Sequence, residues 1–169
     1  VLSIHSLRPH TLIGHMSLYK NVLHHSDNTF PNWFLELLGA YTSYINHCEY
    51  CYKHHFEGMK RFLNDDQKAN LFKHHIENDS LHDILDTKAY ELSKYTKDLT
   101  LKADSITEAQ IKNLRALGIS DGELLEVNQV VSYFNYANRT VLGLGVNTEN
   151  EILGLSPHNK GDEQSWNHQ

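Results

Sequence analysis

Proline occurs at only three positions in this 169-residue chain, 9, 31 and 157, and that spacing restricts the fold more than any other feature. A proline ring breaks a helix interior, because it removes an N–H donor and crowds the carbonyl four residues back. Nothing between residues 32 and 156 does so. Alternating β-branched runs are also few, so the chain reads as all-α. Met16, Leu18, Val22 and Leu23 set a helical apolar pattern over 12–23. Asn28-Thr29-Phe30-Pro31 reads as a break and then a helix start, since proline suits a first turn. Residues 33–45 are strongly apolar and read as a buried helix, followed by a helix to about Phe62 that carries both cysteines. Asp65 or Asp66 caps a helix over 67–76, and another is expected over 81–95. Residues 97–105 read as a polar connector. Thr107-x-x-Gln110 and Ser120-x-x-Glu123 are capping boxes, in which two side chains satisfy each other's backbone donors. The first opens a short helix ending at Gly118. The second opens a long one reaching about Leu142, stopped by Gly143 and Gly145. The tail from Ser156 is polar and reads as loose.

Length and charge narrow the function. A chain of this size is expected to form one domain with a sizeable core. A formal net charge of −6, with no basic stripe, argues against a general nucleic-acid binder. No apolar run is long enough for a membrane-spanning helix. The chain starts abruptly at Val1 with neither an initiating Met nor a secretory signal, and reads as trimmed. Two cysteines are too few for a disulfide-scaffolded secreted domain, so the cytoplasm is the expected compartment. No flavin, haem or nucleotide signature appears, and Gly143 and Gly145 follow a helix rather than a strand.

Chemistry concentrates in Asn46-His47-Cys48-Glu49-Tyr50-Cys51-Tyr52-Lys53-His54-His55. On a helix, positions i, i+3, i+4 and i+7 share a face, which would cluster Cys48, Cys51, His54 and His55. Two cysteines so spaced have Cα atoms roughly 5–6 Å apart, within reach of a disulfide. A protonated His55, one turn beyond Cys51, would favour its thiolate. Glu36 is the one carboxylate in Trp33-Phe34-Leu35-Glu36-Leu37-Leu38. A buried carboxyl holds its proton more tightly than an exposed one, which suits proton transfer near neutrality. The same pattern also fits a solvent-facing carboxylate on an amphipathic helix. The remaining histidines, among them His5, His15 and His24, read as surface or satisfied core. Zinc ligation by the cysteines with His54 or His55 is an alternative that needs a fourth ligand. A thioredoxin-like site is disfavoured, because no βαβ strand precedes Cys48. Ser43-Tyr44-Ile45-Asn46 is echoed 89 residues later by Ser132-Tyr133-Phe134-Asn135, with Ala137 where the first copy has Cys48.

Glu36, Cys48, Cys51 and His55, with Ser43, Asn46 and Tyr50 between them, resemble the motif of the alkylhydroperoxidase D-like family in the carboxymuconolactone decarboxylase superfamily. The likeness is to its peroxidase-related branch, and extends to Leu7-Arg8-Pro9, to 15–19, to 133–139 and to Leu144-Gly145-Val146. The resemblance implies an all-helical fold with a degenerate internal duplication. One domain over 1–155 would then comprise a cysteine-bearing half (about 1–98) and a cysteine-free half (about 105–147), with a polar tail over 156–169. It implies homo-oligomers, commonly trimers or hexamers, and reduction of organic hydroperoxides in antioxidant defence, with no cofactor or metal and an external dithiol or protein reductant. Cys51 would attack the peroxide, Cys48 would resolve the sulfenic acid to a disulfide, and Glu36 and His55 would relay protons. Founding members carry His before the second cysteine where this chain has Tyr50, a poor proton shuttle. A thiol-disulfide oxidoreductase or redox sensor on the same scaffold is the alternative that this departure motivates. Lactone decarboxylation is disfavoured, because members with that activity lack the cysteine pair.

Overall fold

The computed structural model describes residues 2–148 and 153–154, and the expected tail over 156–169 lies outside them. Eight α-helices and two one-turn 3-10 helices, and no strand, occur among the described residues. The helices are α1 (Leu2–His5), α2 (Pro9–Leu23), α3 (Asn32–Ile45), α4 (Glu49–Leu63), α5 (Asp66–Glu77), α6 (Thr87–Leu101), α7 (Glu108–Ala116) and α8 (Asp121–Gly143). The all-α expectation holds. Both capping boxes form, with Thr107 and Ser120 accepting from the amides of Gln110 and Glu123. Asp65 caps α5 by accepting from Lys68.

Two sequence expectations are corrected. The helix expected over 81–95 begins only at Thr87, because the Asp86 carboxylate accepts from the Ala89 amide and fixes the first turn there. The three residues Leu81–Asp83 form a separate 3-10 turn. The helix then runs on to Leu101 through the stretch read as a connector.

Helix α3 is the centre of the bundle. Every residue from Phe34 to Ser43 is buried, and α3 packs most extensively against α4, α8 and α6. Such all-round burial is what an apolar run without amphipathic spacing demands. The core gathers Leu35, Leu37 and Leu38 of α3, Met59 of α4, Leu92 of α6, and Val127, Val130, Val131 and Phe134 of α8. Glu126 pins α8 to the turn before α3 by accepting from the amides of Thr29 and Phe30, at 2.8 and 3.0 Å. Gly39 lets α3 approach α8. A Cβ there would overlap the ring of Phe134, whose side chain is fully buried.

Gly39→Ala is therefore expected to force Phe134 off its position and cost about 1–3 kcal/mol. Urea unfolding of the two proteins would show this as a lower midpoint at unchanged slope.

Candidate active site

Cys48 is not inside a helix. Helix α3 ends in a Schellman turn: the His47 amide donates to the Tyr44 carbonyl at 3.0 Å, and the Cys48 amide to that of Ser43 at 2.9 Å. His47 takes the left-handed conformation this needs, with φ 55°. Cys48 then serves as N-cap of α4. One residue thus ends one helix and starts the next, and Cys51 sits in the first turn of α4. The sequence reading of a helix that carries both cysteines is corrected here: Cys48 stands at its cap, because histidine in a left-handed position gives no stop signal of the kind glycine gives.

Both thiols are free and buried, packed with Tyr50, Val141 and the partly buried Val146. They face each other. A hydrogen bond from the Cys51 thiol, helped by the Cys51 backbone amide, lowers the Cys48 thiol to about 7 against the opposing effect of burial. The same contact, with burial, raises the Cys51 thiol. The reduced pair therefore carries its first negative charge on Cys48. Asn138 of α8 opposes the rise at Cys51 by hydrogen bonding to its sulfur. Asn138 is itself fully buried and held on both sides. Its amide nitrogen donates to Ser43 Oγ at 3.1 Å, and its oxygen accepts from Asn46 at 2.9 Å. Asn46 also donates to Asn135 Oδ1 at 3.0 Å, so the two echoed segments meet at their asparagines.

Glu36 resolves in favour of burial: its exposure is 0%, which excludes the solvent-facing alternative. His55 Nδ1 lies 2.6 Å from Glu36 Oε2. The His55 ring stands edge-on to Phe134, with centroids 4.4 Å apart. Gly58, one turn further along α4, makes room for the carboxylate; a Cβ there would lie 2.9 Å from Glu36 Cδ. His54 does not join this group. Its ring stacks on Tyr50 at 4.5 Å and its Nδ1 faces the Gly154 amide. Among the described residues no group of three or more His, Cys, Asp or Glu side chains is arranged to hold a metal ion.

Four residues at the site escaped the sequence reading. His24 and Tyr19 of α2 reach the far side of Glu36, with His24 Nε2 3.6 Å from Glu36 Oε1 and 3.1 Å from the Tyr19 hydroxyl. Tyr133 of α8 holds its proton far above the ordinary tyrosine range, through burial and then through the negative charge of Tyr19, Cys51, Tyr136 and Glu36. His15, at 3.3 Å from the Tyr133 hydroxyl, is kept neutral by burial and by His5, down to about 4. All four lie far from the cysteines in sequence: His15 and His24 read as surface or satisfied core, and Tyr19 and Tyr133 lie in family-like stretches without an assigned role. On its outer side Cys48 lines an open cleft of about 570 Å³, with Ser43, His47, Tyr52, Phe56 and Lys73 on its walls.

No protein-family model matches the sequence, and no curated protein matches it. Solved structures do. A peroxidase-related protein from Silicibacter sp. TM1040, itself uncharacterised, superposes with a TM-score of 0.77 at 21% identity, over 86% of this chain and 73% of its own. An uncharacterised peroxidase-related protein with an alkylhydroperoxidase AhpD core, from Ralstonia eutropha JMP134, gives 0.75 at 17% identity, over 85% and 73%. A protein of unknown function from Agrobacterium tumefaciens, given as a candidate antioxidant defence protein AhpD, gives 0.70 at 20% identity, over 85% and 94%. The fold is that of the AhpD-like, peroxidase-related proteins.

The Cys48 thiol has a pH signature. Its folded value near 7 lies below its ordinary value of 9.0, so the stabilisation it supplies is fully present above 9 and is lost as pH falls through 7. Reduced protein is expected to gain stability over its Cys48→Ser variant between pH 7 and 9, which paired urea titrations at both pH values would show.

Proposed function

We propose that the protein is a thiol-dependent peroxidase that reduces organic hydroperoxides through a Cys48/Cys51 dithiol–disulfide cycle. The observation that carries this reading is the buried Glu36 carboxylate held 2.6 Å from His55, one helical turn beyond a buried pair of free thiols. A fully buried carboxylate is costly unless it is paired, and a carboxylate–imidazole pair beside a thiol is the arrangement that moves a thiol proton. The AhpD-like fold supports the same reading.

The chemistry balances as follows. The two sulfurs share one proton at rest. With that proton on Cys48, the Cys51 thiolate accepts from Asn138 and attacks the distal peroxide oxygen. The O–O bond breaks, Cys51 becomes a sulfenic acid, and the leaving alkoxide takes a proton from the Glu36–His55 relay to give the alcohol. Cys48 then attacks the Cys51 sulfur, water leaves, and the disulfide forms. Two thiols and one hydroperoxide thus give a disulfide, an alcohol and water. An external dithiol restores the pair, entering through the cleft where Cys48 lies. The reading includes a cytoplasmic site of action and a homo-oligomer, the latter supported by the exposed apolar side chains of Leu7, Ile13, Leu18, Leu142 and Leu144.

A specific observation favours exchanged roles for the sulfurs: Cys48 carries the lower thiol value and reaches the cleft. Single-turnover reaction with cumene hydroperoxide separates the two assignments. Cys51→Ser is expected to abolish peroxide consumption, and Cys48→Ser to consume one equivalent and stop at a sulfenic acid seen by mass spectrometry. The reverse pattern would exchange the roles. Persistent multiple turnover by the Cys51→Ser protein would remove the mechanism altogether. Unchanged thiols in the parent protein alongside rapid exchange with protein disulfides would favour the oxidoreductase reading.

A further inference from the structure

The cycle above uses one oxygen of Glu36, and the other faces a second imidazole. Oε1 lies 3.6 Å from His24 Nε2, an ion-pair separation just beyond hydrogen-bond length. The same nitrogen lies 3.1 Å from the Tyr19 hydroxyl, within it. His24 is 6% exposed, yet it closes α2 as its C-cap and is followed at once by the exposed residues His25, Ser26 and Asp27. Polar groups around Glu36 include His24 at the end of α2, itself bonded to Tyr19, His55 from α4 and Tyr133 from α8, with Cys51 acting on Tyr133 in turn. Beyond Tyr19 and Glu36, His24 meets the apolar ring of Phe62.

The geometry points to His24 as a second proton carrier of this site, a positioning residue that acts through Glu36 on the thiols. A neutral His24 rests on Tyr19. A protonated one is drawn the remaining few tenths of an ångström to the carboxylate. Glu36 thereby exchanges protons with His55 on the thiol side and with His24 on the side of the 25–27 turn. This rests on the dithiol reading. The thiol proton goes onto the relay and returns to the alkoxide, so no proton is gained or lost in the sum, and His24 holds it in the interval. His24 also offsets the negative charge of Glu36, which otherwise disfavours a second negative charge on the nearby sulfurs.

His24→Gln tests this, because its amide keeps a hydrogen bond to Tyr19 but carries no proton. The rate of thiol alkylation by iodoacetamide is measured against pH on reduced protein without peroxide, alongside cumene hydroperoxide turnover. The alkylation midpoint is expected to rise by about one pH unit, and turnover at pH 7 to fall about tenfold, at an unchanged thermal midpoint. Tyr19→Phe, which keeps the imidazole, is expected to hold the parent midpoint. A His24→Gln protein that matches the parent at every pH overturns the inference. Should that variant fail to fold, ¹⁵N spectra of the histidine rings in the unaltered protein decide: a shift of the His24 ring nitrogens on thiol alkylation supports the coupling, and an unmoved ring overturns it. A shifted midpoint in a protein with no peroxide turnover would instead sink the peroxidase reading while leaving the relay standing.

Discussion

The buried Glu36 carboxylate is the constraint around which the molecule is arranged. A carboxyl group at 0% exposure is tolerable only with close, well-oriented partners. Those partners come from different elements: His24, bonded to Tyr19, from the end of α2 and His55 from α4, with Gly58 shaped to admit the group. The most apolar helix of the chain, α3, thus carries at its centre the group that dictates how its neighbours must sit. Loss of His55, 2.6 Å away, would strip the buried carboxyl of a directly bonded partner, a cost on the order of 3–5 kcal/mol.

A second polar layer sits where α3 ends. Ser43, Asn46, Asn135 and Asn138 form a closed set of hydrogen bonds between α3 and α8, and the last of them reaches the Cys51 sulfur. Every amide in that set is engaged, which fixes its orientation and makes a precise donor out of a neutral side chain. The thiol pair therefore has the Glu36–His55 pair on one side and a rigid donor on the other. Its own local order, the left-handed His47 and the N-cap at Cys48, supplies the third support.

Much of this was legible in the sequence where the signal was local. The two capping boxes reach only three residues and formed as read. Pro31 marked the start of α3, and Glu36, Cys48, Cys51 and His55 share a motif in which the spacing of Cys51 and His55 follows the helical turn. Asp86 caps α6 through a contact of the same local kind, which the apolar residues from Leu81 onward mask in the sequence. The break at His47 was hidden because its residue type is common in helices. His24 lay beyond reach for another reason: its contact with Glu36 spans two helices and a proline-marked turn, and no spacing rule connects such partners. Tyr133 was visible in an echo and Asn138 only within the family-like stretch 133–139, and the meaning of either at the site depends on α8 folding back onto α3.

The distance along the chain between Cys51 and Asn138 bears on how the protein is made. Chains emerge from the ribosome at about 5–20 residues per second, so Asn138 follows Cys51 by roughly ten seconds. Through that interval the nascent chain holds both cysteines without α8, hence without the amide on the Cys51 sulfur or the apolar cover of Val141. The sulfurs acquire their guarded environment only once α8 has been synthesised, so until then both thiols stand open to oxidation.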